Sequence, residues 1–514
     1  MSALGARFEG IAARLRSVAW AAVASVFVVA PALTTNLTMF HLGRLPYTHD
    51  QIELPRVILV QSAAWIALGG WALATALTGR LARGHKALLP LGVFLLLAGL
   101  STLLSPYMFT AFFGGYRHYE GFLTLLSYAA LAFAAMQLAN GRRLVWLARL
   151  AMLTGMSQAI YGIAQTLNLD PANWLSDVLT GRAFGTWGNP DFLGGYLLFP
   201  LAFSLAVAFG DSSRRWRVAG ALGSALCFAA IIATATRGAW VACVVVVALM
   251  CVALVRNGLP WRQVGLAGVA VLVASAVLFN FASHGELLNR VITAFTSAEA
   301  GIGYQRFGIW SYALKAVALH PLLGTGPDTL ASASKAAFGF AFSDDAHNYP
   351  LQLSLTVGVF AAAAMYAFLG WAGWSSRKSA FSRGGGRPHL ALTAAFAASA
   401  GYVTHTLVGV SMVTSTAMLF ACVGVLLGAS ADESWSVLKG ISGAAVGLAA
   451  ALLMLTLSVG VRAIAADHAY IEARAADRYG GNRLAWAQSA VRLDPFNDVY
   501  AVELRMATRA AAGQ

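Results

Sequence analysis

Apolar runs of membrane-spanning length recur along almost the whole chain, from residue 17 to residue 463. About 20 consecutive apolar residues cross a bilayer as a helix, and on that rule spans fall near 17–37, 55–78, 88–106, 121–139, 144–166, 191–209, 217–236, 238–255, 264–282, 349–373, 389–408, 411–429 and 438–463. The runs are helical in length and lack the alternation of an outer-membrane barrel. Composition agrees: charged residues are 11% of 514, less than half the roughly 25% of a soluble domain. The expected fold is an all-α polytopic membrane protein of about 12–13 transmembrane helices.

The net charge of +14 would suggest a nucleic-acid partner in a soluble protein. Here the cations sit mainly in short loops. With the N-terminus cytoplasmic, eighteen Lys and Arg fall in inside segments, whereas the short outside segments hold only Arg44, Arg56, Arg117, Arg182 and Arg237. That asymmetry orients the chain and removes the case for nucleic acid. Arg149, one to two turns inside its span, is expected to snorkel to the cytoplasmic face. Cys227, Cys243, Cys251 and Cys422 lie within apolar runs and read as core thiols. The first run reads as a retained span, not a cleaved signal.

The same topology puts the longest interior loop, 283–348, on the outer side, and with it the tail from 464 to 514. The chain then divides into a membrane domain, 1–463, and a small helical tail. The tail reads as two or three amphipathic helices with a turn at Tyr479-Gly480-Gly481, and Ala485 to Tyr500 looks like the second helix of a tetratricopeptide repeat. At most one and a half repeats fit, fewer than such units need to stand alone. A helical cap and a partner-binding module are both open.

Polar groups at membrane depth are costly, so those gathered on one side are candidates for chemistry. Five clusters fall on the outer side. Arg237 is wedged between two apolar spans in Thr234-Ala235-Thr236-Arg237-Gly238-Ala239-Trp240; a guanidinium suits phosphate oxygens, and it equally suits an interfacial anchor. Arg306 and Trp310 lie on an amphipathic helix expected over 304–319, with Arg306 near a helix start that favours anions. A Gly-rich turn, Pro321 to Gly326, follows and re-aims the chain. His347, in Ser343-Asp344-Asp345-Ala346-His347-Asn348, can act as a general base, its tautomer set by a neighbouring carboxylate. A divalent cation on Asp344, Asp345 and His347 is the weaker reading, because adjacent Asp side chains diverge on an extended strand. Asn189 and Asp191 open a span, where helix capping accounts for them and sugar recognition is secondary. Arg117 and Glu120, among aromatic residues, suit saccharide binding or an aromatic belt.

In this order the clusters resemble the O-antigen ligase/polymerase superfamily, over about residues 100–430. The residues that carry the resemblance are Thr234 to Trp240, Arg306 with Trp310, Pro321 to Gly326, and His347-Asn348. The resemblance implies a GT-C-like glycosyltransferase of the bacterial inner membrane that needs no metal or other cofactor. Its donor would be a glycan on undecaprenyl pyrophosphate. Its acceptor would be lipid A-core, a growing glycan or a protein, according to whether the chain is a ligase, a polymerase or a protein O-oligosaccharyltransferase. By the family pattern Arg237 and Arg306 hold the pyrophosphate and His347 activates the acceptor hydroxyl. The ligase reading comes first. A lipid-linked glycan transporter would place ionisable groups along a path through the bilayer centre and repeat its helices; only the shallow Arg149 and His405, near an outer end, depart from apolar character.

Overall fold

A computed structural model describes residues 3–512 except 41, 43–44, 80–81, 173, 175–180, 283–299, 340, 342, 383–385, 432 and 436–438. Among the described residues there are 19 α-helices and one two-stranded ribbon. The chain is an all-α polytopic membrane protein. Among the described residues six helices are long and apolar enough to cross a membrane, and three shorter apolar helices accompany them.

Each expected span is occupied by helix. In chain order these are α1 (Ala3–Val28), α2 (Glu53–Thr78), α3 (Leu88–Leu104), α5 (Phe122–Leu138), α6 (Gly141–Thr166), α7 (Pro190–Gly210), α8 (Arg214–Ala233), α9 (Arg237–Arg256) and α10 (Trp261–Ala282). The short α4 (Met108–Phe113) follows α3. The outer loop supplies α11 (Ala300–Leu319) and α12 (Leu330–Phe338). Then come α13 (Tyr349–Thr356), α14 (Val359–Ala380), α15 (Gly386–Thr406), α16 (Val413–Ala429), α17 (Lys439–Tyr479), α18 (Arg483–Leu493) and α19 (Asp498–Ala511). The cysteines are free thiols, three of them buried.

Two elements depart from the hydropathy pattern. The run 349–373 is two helices, broken at Val357-Gly358. Gly358 has φ 89°, and a Cβ there would stand 2.0 Å from the Leu322 carbonyl oxygen, so the glycine-bearing turn of the outer loop packs directly into the break. The last run continues without interruption for 41 residues, far past residue 463, so the tail begins as an extension of the membrane helix.

The centre of the bundle is built by α7 and α16, whose side chains are buried over nearly their full lengths. Phe199 with Tyr402 and Phe368 with Phe420 fill the space between these helices and their neighbours α14 and α15, and Phe203 meets Phe27 of α1. Burying α7 on all sides fixes where its first turn, with Asn189 and Asp191, is presented.

The inter-span segments sort into two ends. At one end Arg83 donates to the Gly428 carbonyl, and Ala82–Gly84 pairs antiparallel with Glu433–Trp435. At that same end Arg149 forms a two-pronged ion pair with Asp211, at 2.8 and 3.0 Å, between the rings of Trp146 and Trp216. Arg149 was expected to reach solvent; the carboxylate that ends α7 makes that unnecessary. At the other end the segments after α1, α3, α6, α8, α11 and α15 touch one another and the tail. These are the segments that cation alternation assigns to one side.

Candidate active site

Two polar groups meet at that second end, with the His347 turn between them. The first surrounds Asp191. Asn189 caps α7 by accepting the Asp191 N–H at 2.9 Å, which leaves the Asp191 side chain free to turn toward α9. Its Oδ1 accepts the Thr236 hydroxyl at 2.9 Å and lies 3.7 Å from Arg182; its Oδ2 lies 3.5 Å from Arg306. Arg182 also donates to the carbonyl of Thr234 at 2.8 Å. Arg306 donates to the carbonyl of Val408 at 2.8 Å. Thr236 precedes α9, so Arg237 occupies the first position of that helix, exposed, where the unsatisfied N–H groups and dipole also favour an anion. Arg306 does not sit at a helix start. Its helix begins at Ala300, earlier than periodicity suggested, because Ala and Gly there extend it without contributing an amphipathic signal.

His405, on the last turn of α15, is buried against this corner. A Cβ on Gly195 would stand 2.8 Å from its ring, so α7 needs glycine at that level.

The second group surrounds His118. Its Nδ1 is 4.0 Å from Asp328 and its Nε2 3.9 Å from Asp344. Asp328 accepts the N–H of Gly115 at 2.6 Å and of Glu120 at 3.1 Å, pinning the turn that carries His118. Burial pushes the Asp328 carboxyl up to about 6. Burial alone would lower His118, but the carboxylates around it, Asp328 foremost, together raise it above its ordinary value. Glu120 is spent on structure: its oxygens accept the hydroxyls of Tyr128 at 2.8 Å and Ser411 at 2.5 Å, and burial carries its carboxyl up to about 7. Arg117 points the other way, 3.3 Å from Nδ1 of His49 and exposed.

The His347 turn links the groups. Trp310, one turn after Arg306 on α11, donates its indole N–H to the Ala346 carbonyl at 2.9 Å. On the other flank Asp344 faces His118. His347 has φ 51°, a region a residue with a Cβ rarely occupies and one over-represented at functional sites. Asp345 holds that conformation by accepting the His347 backbone N–H at 2.5 Å. The carboxylate thus fixes the backbone, not the ring as expected. Among the described residues, Nδ1 of His347 is buried without a hydrogen-bond partner. Asn348 caps α13 by accepting the Leu351 N–H at 2.9 Å.

Arg306, Trp310, His347, Asp191 and the Thr236-Arg237 junction therefore share one end of the bundle. Asn189 and Asn348 serve as helix caps, Glu120 is enclosed, and Arg117 lies apart from the arginine corner. Sequence reasoning passed over Arg182, His118 and Asp328 as site residues, and singled out His405 only as a polar group within a span. Arg182 was counted only as a loop cation, and His118 stands between two residues that were chosen. Asp344 and Asp345 do diverge, one toward His118 and one toward the His347 backbone. Among the described residues no group of three or more His, Cys, Asp or Glu is arranged to hold a metal ion.

A membrane-embedded helical bundle with arginines, carboxylates and histidines clustered at one end defines the class of protein. Residues 222–366, which span α9 through α13 and contain Arg237, Arg306, Trp310 and His347, match the family model described as O-antigen ligase, and this match supports a place in the O-antigen ligase/polymerase superfamily. Members of that family are glycosyltransferase-like ligases or polymerases. Among curated proteins no sequence matches the chain.

Proposed function

We propose that the chain transfers a glycan from an undecaprenyl-pyrophosphate donor to an acceptor hydroxyl at the periplasmic face of the bacterial inner membrane. The reaction is of the O-antigen ligase type, inverting and independent of metal. The observation that carries this reading is the connection from Arg306 through Trp310 and Ala346 to His347, which sets a cationic corner beside an imidazole with an unpartnered nitrogen.

The chemistry follows from charge. The acceptor oxygen attacks the anomeric carbon as the bond from that carbon to the pyrophosphate oxygen breaks. Negative charge grows on the departing lipid pyrophosphate, and Arg237 and Arg306 stabilise it in a site of low dielectric; one such contact is worth ~3 kcal/mol. His347 accepts the acceptor's proton, worth roughly 10²–10⁴-fold. Attack on the face opposite the leaving group inverts the configuration. Asp191 is the counter-ion of Arg306 and Arg182, and the pyrophosphate takes its place as the partner of those guanidinium groups.

The test is reconstitution in liposomes with a labelled undecaprenyl-pyrophosphate glycan and a panel of acceptors. A lipid A-core conjugate is expected. A lengthened lipid-linked glycan would make the chain a polymerase and a glycoprotein would make it a protein glycosyltransferase. Absence of transfer to all three would end the proposal.

A further inference from the structure

A cavity of about 510 Å³ opens on the far side of the His347 turn from the arginine corner. That size is ordinary for a site that encloses a small molecule or the head of a larger one. Its walls are apolar and descend between the first turns of α2 and the middle of α17, past Leu54, Val57, Val459 and Ala463, with Phe113 of α4 alongside. Its mouth is polar. Four carboxylates line the cavity, exposed Asp344 and Asp498, half-buried Asp494 and buried Asp328, together with His118 and Arg462. The roof is the tail: residues 493–499 cross it, and Phe496 stacks on Phe109 with ring centroids 3.7 Å apart. Asp467, buried on α17, fastens this roof by accepting the hydroxyls of Tyr116 at 2.7 Å and Tyr500 at 2.8 Å and the Asp50 N–H at 2.6 Å.

An acid-rimmed mouth repels phosphate, so the lipid pyrophosphate donor does not fit here. Apolar walls below a rim of hydrogen-bonding groups match a molecule with an apolar segment and a hydroxylated head. Asp344 belongs both to this rim and to the turn that bears His347, which puts the head next to the proposed base. We infer that this cavity is the acceptor site, and that its occupant is a lipid with an uncharged sugar head, selected against phosphorylated heads by the rim carboxylates and enclosed by the tail loop 493–499. The inference rests on the glycan-transfer reading and narrows it: the sugar of the acceptor that enters the rim is one that carries no phosphate.

The test uses the full chain in nanodiscs of zwitterionic lipid and measures binding apart from turnover. The probes are monoglucosyl diacylglycerol with a photoreactive diazirine in its acyl chain and the same glycolipid phosphorylated on the sugar. Mass spectrometry maps the cross-links. The neutral probe is expected to label Leu54–Ile58 and Val459–Ala463 about fivefold more than the phosphorylated one. Ala463→Trp, which fills the cavity, should abolish that labelling. Asp344→Asn, a change at an exposed side chain that leaves the fold undisturbed, should narrow the preference about threefold. Equal labelling by both probes, a preference for the phosphorylated one, or no labelling of these segments overturns the acceptor site. Loss of transfer from every donor and acceptor, with cavity labelling intact, would instead overturn the proposed function.

Discussion

The indole of Trp310 holds the carbonyl of Ala346 at 2.9 Å, and through it the helix that carries Arg306 is tied to the turn that carries His347. Trp310→Phe keeps the ring and removes the hydrogen bond, worth about 1 kcal/mol. Turnover should fall about fivefold with the KM for donor unchanged, since the arginine corner is left intact. A rise in KM at constant kcat would show that Trp310 serves donor binding instead.

Removal of the imidazole separates chemistry from binding. His347→Ala should lower transfer by roughly 10²–10⁴-fold while the protein still binds the donor and melts at its usual temperature. Arg306→Ala and Arg237→Ala should each cost about a hundredfold in kcat/KM, and Lys should restore only part, because an ammonium lacks the two-pronged fit to phosphate. Full turnover by the His347 variant would remove the base assignment.

Asp191 competes with the donor's phosphates for Arg306 and Arg182. In Asp191→Asn the Thr236 hydroxyl keeps an acceptor while the charge is gone. Inorganic pyrophosphate, followed by calorimetry on the detergent-solubilised chain, should bind about fivefold more tightly. Weaker binding would mean that the carboxylate's main task is to aim the guanidinium groups.

Asp328 and Glu120 have folded-state values raised to about 6 and about 7 by burial, and His118 is raised as well. A raised folded value means that the folded state holds its proton more firmly than the unfolded chain does. The stabilisation is complete below the unfolded values and is lost as pH climbs through the folded ones. Thermal unfolding of the chain should occur at higher temperature at pH 5 than at pH 8, and Glu120→Gln should flatten the slope between about 4.5 and 7. A midpoint that rises with pH over that window would contradict this reading.

Tyr500→Phe removes one of three donors to buried Asp467. A lost buried hydrogen bond costs roughly 1 kcal/mol. Hydrogen exchange should quicken about fivefold in Asp498–Ala511 and leave the amides of α7 unchanged. Uniform exchange across both helices would show that this bond does not fasten the tail locally.

Hydropathy reveals helices because burying a backbone in lipid requires internal hydrogen bonds, and every apolar run is indeed helical. It does not reveal the break at Gly358, since Val357-Gly358-Val359 is apolar throughout and the cause is the Leu322 carbonyl pressing from another segment. Counting cations sorted the loops into the two sets found at the two ends of the bundle but treated as a loop cation Arg56, which is buried against the carbonyls of Leu33, Pro31 and Thr186 and lies over the Trp187 ring. Charge counts carry no information on burial. The residues of the arginine corner were legible because local motifs hold them. Asp467 was not: two of its partners, Asp50 and Tyr116, lie 417 and 351 positions away, beyond any local pattern.

Helix α17 has no joint between its apolar half and the tail. At 1.5 Å per residue its 41 residues make a rod of roughly 60 Å, about twice the hydrocarbon thickness of a bilayer. Thicker or thinner lipid must therefore tilt or slide the rod as one piece, and the lid over the cavity travels with it. Bilayer thickness becomes a mechanical input to the enclosed space.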